Sequence, residues 1–404
     1  MILGFFFFAG NRLCPPAFPA DDKPPPEPAS SPESLRLGLA TWNIEGFDGA
    51  GPKDDTPPTR SRRHLEMIAR ILLDTGAAVI GLQEINSVSE FSDVPPLEQI
   101  LRALNKAERE GRKKSSPDPV WKGRVGEIEG VQQRVALLWN NETVEALGVK
   151  ELQELRVGYR EMEESPELQD LRFPRIPLVG RFRLRRLPDF DFNVIVLHLK
   201  AMRAGFDREL DVNDARRLGE LEDLLFKWVL NPAAQGEWAD RDIIILGDLN
   251  ESGRNLVRLL DEFGTRPESG GILTLYPDAL ARGRTGFLLT GAGLRPPGDY
   301  TYQGNREKGE IDYRGKIYQE DTVFKQYRNV IDHILISTPL AGKWDGNCRI
   351  VYFEEKHGRA DHVHLSDHRP VVISLFIPSG NSPPPLPDPE RSGTIGETRS
   401  SGKP

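Results

Sequence analysis

The chain has little of what staples small secreted folds or crosses membranes. Only two cysteines occur, Cys14 and Cys348. Cys14 lies in a terminal tail, so no disulfide framework is expected, and no Cys-x-x-Cys pair offers a zinc or redox site. No apolar run approaches the ~18 residues that a membrane-spanning helix needs, so no transmembrane segment is expected. Excess positive charge is also missing. The formal charge is −8, which argues against a broad basic surface for nucleic acid, since affinity for phosphate backbones comes largely from Lys and Arg. A local basic cleft is still compatible with that balance. No internal repeat is visible. The first residues, MILGFFFFAG, are apolar but have no Lys or Arg ahead of the apolar run, a weak match to a secretory signal. Export or envelope association is favoured over a cytoplasmic setting on that segment alone.

The 404 residues divide by composition. Residues 1–36 form the weak signal segment and a Pro-rich linker, residues 37–378 one large α/β unit, and residues 379–404 a disordered Pro/Ser/Gly tail. Within the unit, Thr59–Gly76 reads as an amphipathic helix: Leu65, Ile68, Leu72 and Leu73 recur at helical spacing, and Gly76 suits its stop. Asp214–Leu230 reads as a second helix. Arg134–Asn140 is a strand, followed by a charged region with a hairpin. Strands interleaved with helices indicate a layered α/β fold. Residues 252–328 have weak periodicity and read as an insertion that shapes the substrate site.

The chemistry sits at the tips of apolar strands. LGLATWNIEG carries Asn43, AAVIGLQEIN carries Gln83 and Glu84, and FNVIVLHLKA carries His198. DIIILGDLNES carries Asp248 and Asn250, NVIDHILIS carries Asp332, and SDHRP (Ser366–Pro370) carries Asp367 and His368. In an extended chain, Asp248 and Asn250 point to one side, where they can hold a water, a hard cation or a phosphate oxygen, or simply shape a turn. The Glu84 carboxylate suits Mg²⁺ or Mn²⁺, although a lone glutamate there is more readily a solvated strand end. Asn43 has the same standing, and its neighbour Trp42 reads as core. His198, inside an apolar run, is compatible with a core histidine. A carboxylate on an apolar strand is costly unless paired, and Asp332 is expected to pair with His368. His333 points to the opposite face and reads as structural. Asp367 and His368 reach one site only if the chain turns, as Pro370 favours. His357, His362 and His364 are too irregularly spaced for a convincing metal cluster.

Taken together, and in this order, these segments resemble the endonuclease/exonuclease/phosphatase family. The matching motifs are TWNI, LQEI, LHLKA, GDLN, the Asp332 strand and SDHRP, spread over most of residues 37–377. The resemblance implies a four-layered α/β sandwich of two mixed β-sheets flanked by helices, with the site at one end. It implies Glu84 as ligand of a divalent cation, Mg²⁺ or alternatively Mn²⁺, with Asn43 and Asp367 nearby. It further implies that Asp248 orients or deprotonates the attacking water and that Asn250 and His198 hold nonbridging phosphate oxygens. His368, buttressed by Asp332, would stabilise developing charge or assist proton transfer. FPRIP (Phe173–Pro177) resembles the family's Arg-x-Pro segment, making Arg175 a phosphate contact. VQQRVALLW (Val131–Trp139) resembles the strand on which the deoxyribonucleases carry a glutamate that supports a histidine, and the resemblance sets Gln133 at that place.

The expectation is a monomeric, metal-dependent phosphodiesterase acting on nucleic acid. A phosphatase or sphingomyelinase-like phospholipase is the alternative, and a non-catalytic binding protein on the same scaffold a second one. The arginine stretch GRFRLRR (Gly180–Arg186) is compatible with a nucleic-acid contact or with a solvated strand on which Phe182 and Leu184 face in.

Overall fold

The computed structural model describes residues 34–51, 60–86, 88–89, 92–111, 120–127, 133–156, 175–199, 219–221, 223–229, 231–251, 256, 287–289, 302–303, 328–329, 331–353, 365–366 and 368–379. Residues 1–33, nearly all of the 252–328 insertion and of the carboxy-terminal tail, Asp367, and the His357, His362 and His364 group lie outside these residues, whereas Ser34–Arg36, expected as the end of the linker, pair with Phe376–Pro378 as the start of the first strand. The first half of the chain forms β1 (Ser34–Phe47), the short β2 (Ala50–Gly51) and β3 (Arg60–Ser61), helix α1 (Arg62–Asp74), β4 (Val79–Asn86), helix α2 (Pro96–Gly111), β5 (Trp121–Val125), β6 (Gln133–Asn140) and β7 (Val144–Glu151). The second half forms β8 (Leu178–Leu184), β9 (Leu187–His198), β10 (Ile243–Asp248), β11 (Phe287–Leu289), the short β12 (Tyr302–Gln303) and β13 (Arg328–Asn329), β14 (Asp332–Ser337), β15 (Trp344–Ile350) and β16 (Val371–Pro378).

Two six-stranded sheets result, in the orders β15-β16-β1-β4-β6-β5 and β11-β14-β10-β9-β8-β7. Both are mixed, and their pairing patterns correspond. Each has one parallel pair at its centre, β1 with β4 and β9 with β10, and antiparallel pairs to either side. This repetition of pairing has no counterpart as a sequence repeat.

Period-two burial builds the layers. Leu37, Leu39, Val79, Val135 and Leu137 of the first sheet meet Val194, Val196, Ile244, Leu246, Ile334 and Ile336 of the second in the central core. The alternate residues face outward. Ala40, Trp42, Ile80, Leu82 and Leu138 pack under Ile68 and Leu72 of α1 and Ile100 and Leu104 of α2. On the other side, Ile195, Leu197, Ile243, Ile245 and Leu335 pack under Leu221, Leu224, Leu225 and Trp228. Both faces of each central strand are therefore dry, which is why those strands read as unbroken apolar runs. Each buried Leu, Ile or Val contributes roughly 1.5–3 kcal/mol relative to exposure.

The expected four-layered sandwich is thus observed. The first expected helix is α1, and Gly76, at φ 66°, turns the chain out of it with its N–H on the Leu73 carbonyl at 3.0 Å. The second is helical at 219–221 and 223–224 and widens into a π-helical turn at Leu225–Val229. Residues 214–218 lie outside the described part.

Candidate active site

The polar residues extend the inward-facing rows of their strands beyond the end of the core. On β9, Val194 and Val196 face inward, and so His198 does too. On β10, Ile244 and Leu246 bring Asp248 inward, and on β14 Ile334 and Ile336 do the same for Asp332. Register then puts these three side by side, Asp248 opposite His198 on one flank and opposite Asp332 on the other. On the first sheet the same parity brings in Asn43 and Gln133. The parallel strands contribute from their carboxyl ends. Their antiparallel neighbours contribute from their starts: Gln133 and Asp332 open β6 and β14, and Arg175 and His368 precede β8 and β16 by a few residues.

Glu84 breaks the parity. Gln83 is the inward residue of β4, exchanging hydrogen bonds with Thr41 at 3.0 and 3.2 Å. Glu84 would then point outward, but it sits in a bulge where the pairing with β6 slips, at φ 60°. A bulge of this kind re-aims a side chain, and both Glu84 oxygens reach the site. Asn43 Nδ2 donates to Glu84 Oε1 at 3.2 Å and to Asp248 Oδ2 at 3.0 Å, joining the two sheets. Asn43 Oδ1 accepts from the Glu45 N–H at 2.9 Å. Asn43 is therefore a donor between two carboxylates, where the sequence reading has it as an oxygen ligand. A half-turn of the amide would exchange its nitrogen for its oxygen.

His368 Nδ1 lies 2.8 Å from Asp332 Oδ2, so the expected pair is formed, and its Nε2 faces Asp248 Oδ2 at 3.8 Å. The SDHRP segment is clamped to β1. Ser366 Oγ donates to the Asn43 carbonyl at 2.6 Å and accepts from the His368 N–H at 2.9 Å. Trp42 Nε1 donates to the His368 carbonyl at 3.0 Å. Trp42 is core, as expected, and also holds the loop.

Of the two readings of Asp248 and Asn250, the structure has the turn. The chain is not extended there: Asn250 is at φ 51°, and its N–H turns back to Asp248 Oδ1 at 2.9 Å. Its Nδ2 donates to the Leu199 carbonyl at 3.1 Å, so the amide braces the ends of β9 and β10 against each other. His198 Nε2 is 3.6 Å from Asp248 Oδ2 and 3.8 Å from Glu84 Oε1, and its Nδ1 has no hydrogen-bond partner among the described residues. Gln133 does not support His198. Its Nε2 donates to Glu84 Oε2 at 2.7 Å, and its Oε1 accepts from Arg175 Nη2. His333, as expected, faces away, with Nε2 on the Glu251 carbonyl at 2.8 Å.

Burial sets the electrostatics. It pushes the Asp248 carboxyl up to about 7, helped by the Asp332 charge and opposed by His368 and by hydrogen bonds from Asn43 and the Asn250 N–H. It drives His198 well below the usual histidine value, with Arg175 and His368 adding to the effect, so that ring is neutral. Burial also lowers Arg175, while the charges of Glu84, Asp248 and Glu220 raise it. Glu220, a buried glutamate on the helix over the second sheet, carried no strand-end signal in the sequence and was missed.

Carboxylates crowding one buried spot suit a hard cation. Asp248, Asp332 and His368 each bring a ligand-type atom within 4.8 Å of the others. There, however, Asp332 and His368 are engaged with each other. Glu84 keeps 19% of its side-chain exposure against 3% for Asp248, so it is the more solvent-accessible of the two carboxylates.

The sequence matches the model of the endonuclease/exonuclease/phosphatase family over residues 40–368, and the chain belongs to that family, whose members hydrolyse phosphoesters with the help of divalent metals. Among solved structures, Danio rerio TDP2 complexed with single-strand DNA product is 15% identical, with a TM-score of 0.46 over 84% of this chain and 98% of that one. Truncated TDP2 from Caenorhabditis elegans is 14% identical, with a TM-score of 0.46 over 85% and 98%. The human Nocturnin catalytic domain with bound sulfate is 14% identical, with a TM-score of 0.42 over 85% and 96%. No curated protein matches significantly.

Proposed function

We propose that the protein is a phosphodiesterase that cleaves nucleic-acid phosphodiester bonds with Mg²⁺, or Mn²⁺ in its place. The carrying observation is the polar belt from Glu84 through Asn43 and Asp248 to His368 and Asp332, buried at the mouth of the sandwich. Glu84, with Asn43 and Asp367, would hold the cation. When bound, such an ion stabilises negative charge on a nonbridging phosphate oxygen.

The protein's own groups supply the rest. Asp248, poised near neutrality, takes a proton from the attacking water. His368, held by Asp332 through Nδ1, presents Nε2 to the reacting phosphate. His198, neutral, gives a hydrogen bond without adding charge. Asn250 holds a further oxygen with its second amide hydrogen, and Arg175 contacts the diester anion. The arginine stretch of β8 lends no support to a nucleic-acid contact. Arg183 donates to Asp191 at 2.7 and 3.0 Å, and Arg181 donates to the same carboxylate at 3.1 Å.

A substrate panel tests this reading. Plasmid DNA, single-stranded DNA, RNA, inositol phosphates and sphingomyelin are incubated with Mg²⁺ or Mn²⁺, with and without EDTA. Cation-dependent cleavage of nucleic acid is expected. Turnover of inositol phosphate or sphingomyelin alone would move the protein to the phosphatase or phospholipase branch.

A further inference from the structure

Gln133 stands between the two opposite charges of the site. Its amide accepts from Arg175 and donates to Glu84 Oε2. A guanidinium that meets a carboxylate directly pairs with it in a fork, engaging both oxygens and two N–H donors. With the amide inserted, only Oε2 of Glu84 is engaged from the Arg175 side, and Oε1 faces Asn43, whose Nδ2 donates to it at 3.2 Å. Arg175 commits one nitrogen to Gln133, and its guanidinium carries five N–H donors in all. A glutamine suits this place because it is neutral and offers a donor and an acceptor on one planar group.

We infer that Gln133 is a positioning residue, a neutral spacer that keeps Arg175 and Glu84 from collapsing into an ion pair. Glu84 Oε1 is thereby left to a divalent cation and Arg175 to an anionic phosphate. This role rests on the reading of the site as a cation-dependent phosphoester hydrolase.

The test is a titration with Mn²⁺, followed by electron paramagnetic resonance, on the full chain and three variants. Gln133→Met keeps length and bulk but removes both hydrogen bonds, so Arg175 closes on Glu84 and Mn²⁺ affinity falls by about tenfold or more. Adding Arg175→Met to that variant frees Glu84 again and restores Mn²⁺ affinity, and Arg175→Met alone does not weaken it. An unchanged affinity in Gln133→Met, or no recovery in the double variant, overturns the spacer role. Should Gln133→Met fail to fold by circular dichroism, Gln133→Glu replaces it. Its carboxylate takes Arg175 directly, so affinity for inorganic phosphate falls, and unchanged phosphate affinity overturns the role. If the wild-type chain hydrolyses no phosphoester, the proposed function fails while the Mn²⁺ titration still decides the role of Gln133.

Discussion

Asp248 is costly to the fold when ionised, the state that the proposed role as a base requires. Its carboxyl ionises near 7 in the folded protein, against 3.8 when unperturbed. The folded state therefore binds this proton more tightly than the unfolded one. That contribution is fully present below about pH 4 and is lost as pH rises through about 7. Asp248→Asn removes the charge and is expected to raise stability at pH 8 in EDTA by a few kcal/mol, with the gain shrinking toward pH 5. Denaturant melts at the two pH values check this, and a loss of stability at pH 8 contradicts it. At this scale the residues that lie on inward rows were legible in the sequence, as were His368 and its partner Asp332. Asn250 and Asn43 were legible as site residues but not in orientation. One depends on a positive φ and the other on which end of an amide the Glu45 N–H takes. Gln133 was visible only as a departure from a pattern.

At the scale of elements, the site follows from strands that are dry on both faces and end together. Their runs announced them in the sequence, and period two identified the inward residues. The bulge at Glu84 was hidden, because no residue type in LQEI marks a break in pairing. The glycine before Asp248 has a more exacting role. Gly247 is at φ 152°, and a Cβ there would lie 2.0 Å from the Leu197 carbonyl oxygen in the neighbouring strand. Gly247→Ala must push β9 and β10 apart where His198 and Asp248 face each other. It is expected to cost about 3 kcal/mol of stability and to lower turnover with it. Chemical denaturation that shows an unchanged midpoint would refute this account of the glycine.

For the whole molecule, the sandwich brings together groups as distant in sequence as Asn43 and His368. Their order along the chain carried that information, since each lies where one strand of a recognisable series begins or ends. What sets the substrate was not legible, because side-chain type at a strand tip defines chemistry whereas loops define shape. The acidic net charge agrees with the second sheet, where Arg181 and Arg183 pair with Asp191 and Arg185 bonds Asn141, while the site gathers carboxylates. No helix among the described residues is long and apolar enough to cross a membrane. The central claim is that Asp248 and the His368–Asp332 pair perform phosphodiester hydrolysis with a divalent cation. The most direct measurement is turnover of bis-p-nitrophenyl phosphate by wild type, Asp248→Ala and His368→Ala, each with Mg²⁺, Mn²⁺ or EDTA. The prediction is activity in the wild type with cation only, and a loss of ~10²–10⁴-fold in each variant with an unchanged circular dichroism spectrum. Near-full activity in either variant with cation present would contradict it.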